Sequence, residues 1–403
     1  MEIKLIRKNN SIRTKFILNP FLWFSLVWIF VLFLHTFNFS KVYPETSQKM
    51  YGFLSFVIIT SLVLAIIYHV FFLKKLKHIN ISSKPIWPLL IFVYAMFIVE
   101  AVYSKGVPLL GVFLKLITYK SFGIPIVSGF MYSFSIFLSL ICSLKLVYGE
   151  EHKGQNFIAL LLSYGRFVLV YSRGGLIICV LVTFVIFMSK RRVSFLWIPL
   201  LIILGIIFLF LFNVFGNIRM GFAWNDSSYL LKIAQFNKKY ANLKNFSWGL
   251  VYLDTPLGNL LYNEKYVHNP NDFNGLISQL LPSVVSEVLY PDYDPNLTLA
   301  IPNLTVASMF GGGYKFYGYT GMIAVYIEMV IITLVACLLT KKENSMLLGC
   351  SAFLAVLCAL SFFDNMFYTA GNSFALLYLV IYSVLFVKER HHFNYNIAVS
   401  DAN

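Results

Sequence analysis

Gly216-Asn217-Ile218-Arg219-Met220-Gly221-Phe222-Ala223-Trp224-Asn225-Asp226 is where an apolar run gives way to a polar stretch that continues to about Tyr317. The segments on both sides read as hydrocarbon-soluble helix. The stretch itself carries Asp226, Asp254, Glu264, Asp272, Glu287, Asp292, Asp294, Arg219 and His268. A second polar feature belongs with it: Tyr171-Ser172-Arg173-Gly174-Gly175 joins two short apolar segments. Three regions follow: helices one to seven over 1–215, an outer cap over 216–317, and three further helices with a tail over 318–403.

Composition sets the class. The 403 residues are 59% hydrophobic and 12% charged, where a soluble protein carries about a quarter charged residues. The net charge of +15 does not point to nucleic acid, because Lys and Arg cluster beside apolar segments. That placement is the mark of topology signals and anionic lipid contact. Cys142, Cys179, Cys337, Cys350 and Cys358 all fall in or at the ends of apolar segments, so no disulfide framework is expected. The basic start (Lys4, Arg7, Lys8, Arg13, Lys15) precedes an apolar stretch of near-spanning length, read as an uncleaved first span.

A spanning helix needs about 20 apolar residues, and ten segments come near that: approximately 20–38, 51–73, 86–103, 125–147, 157–171, 174–189, 194–215, 318–340, 345–362 and 373–387. With the N-terminus in the cytoplasm, Lys74, Lys75, Lys77, Lys84, Lys145, Lys153, Lys190, Arg191, Arg192, Lys341, Lys342, Lys388 and Arg390 all fall inside. The short outer loops hold only Lys41, Lys49, Lys105, Lys115 and Lys120. The bias predicts cytoplasmic termini and an outer long loop. The expected fold is an all-α polytopic membrane protein with about ten transmembrane helices and amphipathic helices in one long outer loop.

Segments five and six hold only about 15 residues each, roughly 22 Å against a hydrocarbon core of about 30 Å. The Ser172–Gly175 turn is therefore expected to lie recessed, in protein or a water-filled cavity. The connector 104–124 is half apolar and is expected along the interface. In the long loop, Tyr229, Leu230, Ile233, Phe236, Tyr240 and Leu243 recur at helical spacing after a cap at Asp226, Ser227 or Ser228. Further helices are expected after Pro256 and after Asp272, the latter interrupted at Pro282.

Arg173 leads the candidates for chemistry. An arginine at hydrocarbon depth costs a few kcal/mol, so function is its default reading; the alternative is snorkelling to the interface. Gly174 and Gly175 after it suit close approach of backbone N–H groups to a phosphate. Arg166 lies two helical turns earlier. Arg219 is expected at the outer interface, as a second phosphate ligand or a lipid anchor, and two guanidinium groups can hold a diphosphate. For a proton acceptor the candidates are His268, Asp254, Glu287, Asp292, Asp294 and Glu100. His268 is the histidine of the loop, a residue type suited to general-base work, but it also reads as solvated surface. Glu287 lies in an apolar run where burial would raise its pKa. Asp292-Tyr293-Asp294, between Pro291 and Pro295, reads as a metal-diphosphate pair or an Asx turn. Neither a metal site nor a cofactor is expected.

On a set of local motifs the chain resembles the bacterial O-antigen polymerases, or oligosaccharide repeat-unit polymerases (Wzy type). The motifs are Glu100 with Gly106 and Pro108, Ser172-Arg173-Gly174, Tyr252-Leu253-Asp254-Thr255-Pro256-Leu257-Gly258-Asn259-Leu260, Leu281-Pro282-Ser283, and Asn303-Leu304-Thr305 leading to Gly318-Tyr319-Thr320-Gly321. Where many relatives carry an acid before that last glycine pair, this chain has Phe316-Tyr317. The resemblance implies a GT-C-like membrane glycosyltransferase at the periplasmic face of the bacterial inner membrane. Its partners would be undecaprenyl-diphosphate-linked oligosaccharide, membrane lipids and a chain-length regulator protein. By the resemblance Arg173 and Arg219 would bind diphosphate; from the reading of the residues themselves, Arg166, Gly174, Gly175, Glu100 and Asp254 are expected to line the substrate. The alternatives are an O-antigen ligase and a lipid-linked oligosaccharide flippase.

Overall fold

The computed structural model describes residues 12–76, 79, 81, 84–113, 122–191, 197–268 and 270–400, without the side chains of 112–113, 197–198, 201, 219 and 386–400. Its helices are α1 (Pro20–His35), α2 (Gln48–Tyr68), α3 (Trp87–Tyr103), α4 (Pro108–Phe113), α5 (Val127–Tyr148), α6 (Lys153–Leu169), α7 (Arg173–Lys190), α8 (Trp197–Arg219), α9 (Ser228–Ile233), α10 (Ser247–Tyr266), α11 (Phe273–Gln279), α12 (Ser283–Leu289), α13 (Gly311–Thr340), α14 (Asn344–Leu360) and α15 (Ala370–Ser400). Among the described residues four helices (α2 with its π-helical extension to Leu73, α5, α7 and α13) are long and apolar enough to cross a membrane, and five shorter apolar helices accompany them. The protein is thus all-α, with apolar helices suited to a bilayer.

Two helices form the centre. In α14 every side chain from Ser345 to Cys358 is buried, and it packs on α1, α7 and α13. Helix α5 packs on α6, α7 and α15. Two of its buried hydroxyls bond back along the helix, Ser135 to the Met131 carbonyl at 2.7 Å and Ser143 to the Ser139 carbonyl at 2.8 Å. Serine at those two positions can therefore sit inside without an orphaned donor. The perimeter is apolar instead of charged: Ile59, Ile66 and Phe71 on the α2 stretch, Ile202 and Phe208 on α8, and Ile331 and Leu338 on α13 are all exposed. A face of that extent is stable in hydrocarbon and a liability in water.

The ends of the bundle differ in charge. At one end Lys15 donates to the Lys74 carbonyl (3.0 Å), Lys145 to the Lys84 carbonyl (2.6 Å) and Lys190 to the Val147 carbonyl (2.7 Å). The Arg13 N–H reaches the Ser189 carbonyl at 2.9 Å. Lys4, Arg7, Lys8, Lys77, Lys115, Lys120, Arg192, Lys388 and Arg390 fall outside the described side chains. The other end carries the cap.

Three expectations for the cap need correction. The helix expected over 226–245 ends at Ile233 and resumes as a 3-10 stretch, Lys238–Phe246. Gln235 turns to φ +43° between them and Phe236 forms a bridge with Ser40. The helix expected to follow Pro256 begins at Ser247, and Pro256 lies inside it. Asn213 of α8 fixes that start, its Oδ1 accepting from the Ser247 hydroxyl (3.2 Å) and the Trp248 N–H (3.1 Å). Helix α13 begins at Gly311, and the expected start at 318 is a break inside it, Gly318 having φ +59°. The pair after Asp272 does form. Asp272 caps α11 through the N–H groups of Asn274 and Gly275, and Pro282 separates α11 from α12.

Candidate functional site

Helix α6 ends in a Schellman motif, with Ser172 N–H on the Phe167 carbonyl (2.8 Å) and Tyr171 N–H on the Val168 carbonyl (3.0 Å). The left-handed position of that motif usually takes glycine. Here it holds Tyr171, at φ +60°, a conformation costing on the order of 1–3 kcal/mol outside glycine. Tyr171 then carries the next residue but one: the Arg173 guanidinium lies over its ring, 5.1 Å from the centroid, and Nη2 donates to its hydroxyl at 3.1 Å. Arg173 is exposed.

The same turn is anchored on Tyr132 of α5. A Cβ on Gly175 would come within 2.6 Å of both the Phe167 ring and the Tyr132 hydroxyl, so only glycine allows this contact. The Ser172 hydroxyl donates to the Tyr132 hydroxyl at 3.4 Å. Tyr132 also presses on Gly371, where a Cβ would lie 2.6 Å from its ring. One tyrosine thus joins the start of α7, with Arg173, to the start of α15.

The segment 361–369, which leads into α15, is held from the cap. Ser283 N–H donates to the Tyr368 carbonyl at 2.7 Å, and Met309 N–H to the Ser361 carbonyl at 2.9 Å. The Ser283 hydroxyl accepts from Ala370 N–H at 3.3 Å. Inside the loop the Asn365 side-chain oxygen accepts from Phe367 and Tyr368 N–H, at 3.1 and 3.2 Å. Asp364 accepts from Asn365 N–H at 2.8 Å. Its carboxylate is exposed, yet lost hydration holds its pKa above the usual aspartate range. Neighbouring atoms displace part of its hydration while leaving it open at the surface. Burial also raises the pKa of Tyr368, helped by Glu287, Asp294 and Asp364 around it.

Other polar pairs pin the cap to the bundle. His35, last residue of α1, places Nδ1 2.7 Å from Asp254 Oδ1 and Nε2 3.1 Å from the Pro44 carbonyl. Both ring nitrogens face acceptors, which requires an imidazolium. Beside them Tyr43 shares a 2.7 Å hydrogen bond with Thr255; burial raises its pKa, so it keeps its proton. Glu264 accepts from the Ser47 hydroxyl at 2.5 Å and from the Tyr319 hydroxyl. Asn259 donates to the Leu304 and Val306 carbonyls (3.0 and 2.9 Å) and accepts from Ala300 N–H, holding the irregular chain 298–306 on α10.

The sequence candidates separate in space. Arg166 and Glu100 form a buried ion pair between α6 and α3, Nη2 to Oε2 at 2.9 Å. Arg166 Nε and Nη1 and Glu100 Oε1 find no partner. Arg166, on the helix before the one that Arg173 opens, is thus committed to Glu100. Asp254 is buried on His35. Glu287 corrects the expectation of burial: it is exposed, because α12 turns Ser286 inward instead. His268 is exposed just beyond α10. Gly174 has open space around its Cα. The Arg219 side chain lies outside the description, and α8 ends at that residue. Asp294 accepts from the backbone and side chain of Asn296 (3.0 and 2.6 Å), the Asx arrangement. The helices flanking the Arg173 turn are longer than the segments of about 15 residues expected. Helices α6 and α7 have 17 and 18 residues, about 25–27 Å at the helical rise.

Comparison with known protein families, curated proteins and solved structures finds no match. Among the described residues no group of three His, Cys, Asp or Glu side chains is placed to hold a metal ion. Sequence reading missed His35, Tyr132 and Asp364. Only Asp364 left a signal, as an Asp-Asn pair among aromatics in the short connector Ser361-Phe362-Phe363-Asp364-Asn365-Met366-Phe367-Tyr368-Thr369.

Proposed function

We propose that this protein polymerises undecaprenyl-diphosphate-linked oligosaccharide repeat units into O-antigen polysaccharide, on a GT-C-like bundle of about ten transmembrane helices in the bacterial inner membrane. The basic end of the bundle faces the cytoplasm, by the positive-inside rule, and the cap faces the periplasm. The observation that carries the reading is the placement of Arg173. Its turn packs through Tyr132 on the start of α15, beside a loop clamped by the cap residue Ser283. An exposed cation whose turn is linked through Tyr132 to a loop held by the polar cap suits a substrate whose diphosphate lies at headgroup depth and whose glycan extends outward.

In the transfer, an acceptor hydroxyl of the incoming repeat unit attacks the anomeric carbon of the growing chain. The bond from that carbon to the diphosphate oxygen breaks, and undecaprenyl diphosphate departs with the electron pair. Guanidinium groups at Arg173 and Arg219 stabilise the departing charge, which is the largest contribution available in a poorly hydrated site. Glu100, Arg166 and Asp254 hold helices and cap in register, and a chain-length regulator is a further partner. The test is the surface glycan of cells lacking the gene. Polymer should vanish while a single repeat unit remains on lipid A core. Complete loss of the repeat from the surface would indicate a flippase, and polymer left on its lipid carrier would indicate a ligase.

A further inference from the structure

We infer that Asp364 is the general base of this site, taking the proton from the acceptor hydroxyl as that oxygen bonds to the anomeric carbon; the inference rests on the polymerase reading. Three observations on the cap-side surface converge on it. Asp364 lies in the short loop between α14 and α15 whose backbone is fixed from both sides. Asn365 ties the loop internally and Ser283 ties it to the cap. A base must be held in place to be effective. The loop ends at the start of α15, where Gly371 meets the same Tyr132 that carries the Arg173 turn. Tyr132 thus touches both the turn that presents Arg173 and the helix start seven residues beyond Asp364. Finally, the carboxylate has one backbone donor and stays open to solvent, so its remaining lone pairs can accept a hydroxyl proton.

The other acids serve less well. Asp254 and Glu100 are buried in ion pairs. Glu264 accepts two hydroxyls, and Asp294 closes its own turn. Poor hydration holds the Asp364 pKa above its usual range, which brings a carboxylate nearer the strength a base needs. The neighbouring Tyr368 feels Glu287 on α12, Asp294 and Asp364 itself, while the shift of Asp364 comes from lost hydration, opposed by its Asn365 N–H bond.

The proton balance is closed: the hydroxyl proton goes to Asp364, and the carbon–oxygen electrons leave with undecaprenyl diphosphate. The experiment uses the full chain in nanodiscs with undecaprenyl-diphosphate-linked repeat units. Release of undecaprenyl diphosphate and growth of the glycan ladder are followed from pH 4.5 to 9. Asp364→Asn should lower the rate by about 10²–10⁴-fold, and Asp364→Glu should recover part of it. Wild-type kcat/KM should fall on the acid side as the carboxylate protonates, with a midpoint above the ordinary aspartate value of about 3.9. The residual rate of the Asn variant should lack that limb.

A stability measurement separates catalysis from scaffolding. A carboxyl with a raised folded pKa costs the fold stability as pH climbs from its unfolded to its folded pKa. At neutral pH the Asn variant should therefore unfold no earlier than wild type. An Asn variant that polymerises at the wild-type rate, or one whose loss follows a lower unfolding midpoint, would overturn the assignment. Wild-type protein that makes no ladder removes the polymerase reading, and this assignment with it.

Discussion

Arg173 is held by its own neighbour, with its guanidinium over the Tyr171 ring and one nitrogen on the Tyr171 hydroxyl. Tyr171 reaches that position by adopting a left-handed conformation that glycine would take without cost. That conformation fixes the ring that in turn fixes the guanidinium, so the cation is positioned before any anion arrives. Arg173→Ala should reduce polymerisation by about 10²–10³-fold, the usual effect of removing one donor to a developing anion. Arg173→Lys should restore little, because an ammonium lacks the planar fork that grips a phosphate by two bonds. Chain-length profiles of cells carrying each variant check both, and a wild-type profile for the alanine variant would remove Arg173 from the site. The sequence singled out Arg173 because a charge beside two glycines in an apolar context has few explanations. It could not single out His35 or Tyr132. The first is one histidine at the end of an apolar run, and its carboxylate partner lies 219 positions away. The second is one tyrosine among 25.

Helices α3 and α6 meet through the Glu100–Arg166 pair, whose side chains are 0% and 1% exposed. An unpaired charge left at that depth is far more costly than the pair is favourable, so breaking the pair should cost about 3–5 kcal/mol while replacing both residues with apolar ones should cost little. Glu100→Gln is therefore expected to lower the unfolding midpoint of the detergent-solubilised protein. Glu100→Leu combined with Arg166→Met should recover the midpoint and keep polymer synthesis. A stable double variant that makes no polymer would return the pair to the substrate site. Element placement was legible wherever apolar length decides it: the expected boundaries at 86–103, 125–147 and 345–362 fall within a few residues of α3, α5 and α14. It failed where long-range contacts decide. Pro256 suggests a helix start, yet Asn213 caps the chain nine residues earlier. The heptad-like spacing over 226–245 is cut where Phe236 pairs with Ser40.

Across the molecule one end is net basic and the cap, whose lysines are matched by carboxylates, closes the other, pinned by His35–Asp254, Ser47–Glu264–Tyr319 and Ser283–Tyr368. Three separate connections place the cap over the ends of α1, α2 and α15, so it is a built part of the bundle and not a tethered loop. Segments distant in sequence are tied together by these contacts, which is why the candidate site could be sketched from the sequence only as separate motifs. Arg173, Asp364 and Ser283 come from three regions, and no local spacing relates them. The account stands or falls on what this protein does to lipid-linked glycan. The direct measurement places the purified chain, as sole protein, in proteoliposomes containing undecaprenyl-diphosphate-linked repeat units and resolves the products by size. A ladder spaced by one repeat unit, with one undecaprenyl diphosphate released per linkage, is the predicted result. Repeat units that remain single under these conditions, with no carrier released, would contradict it.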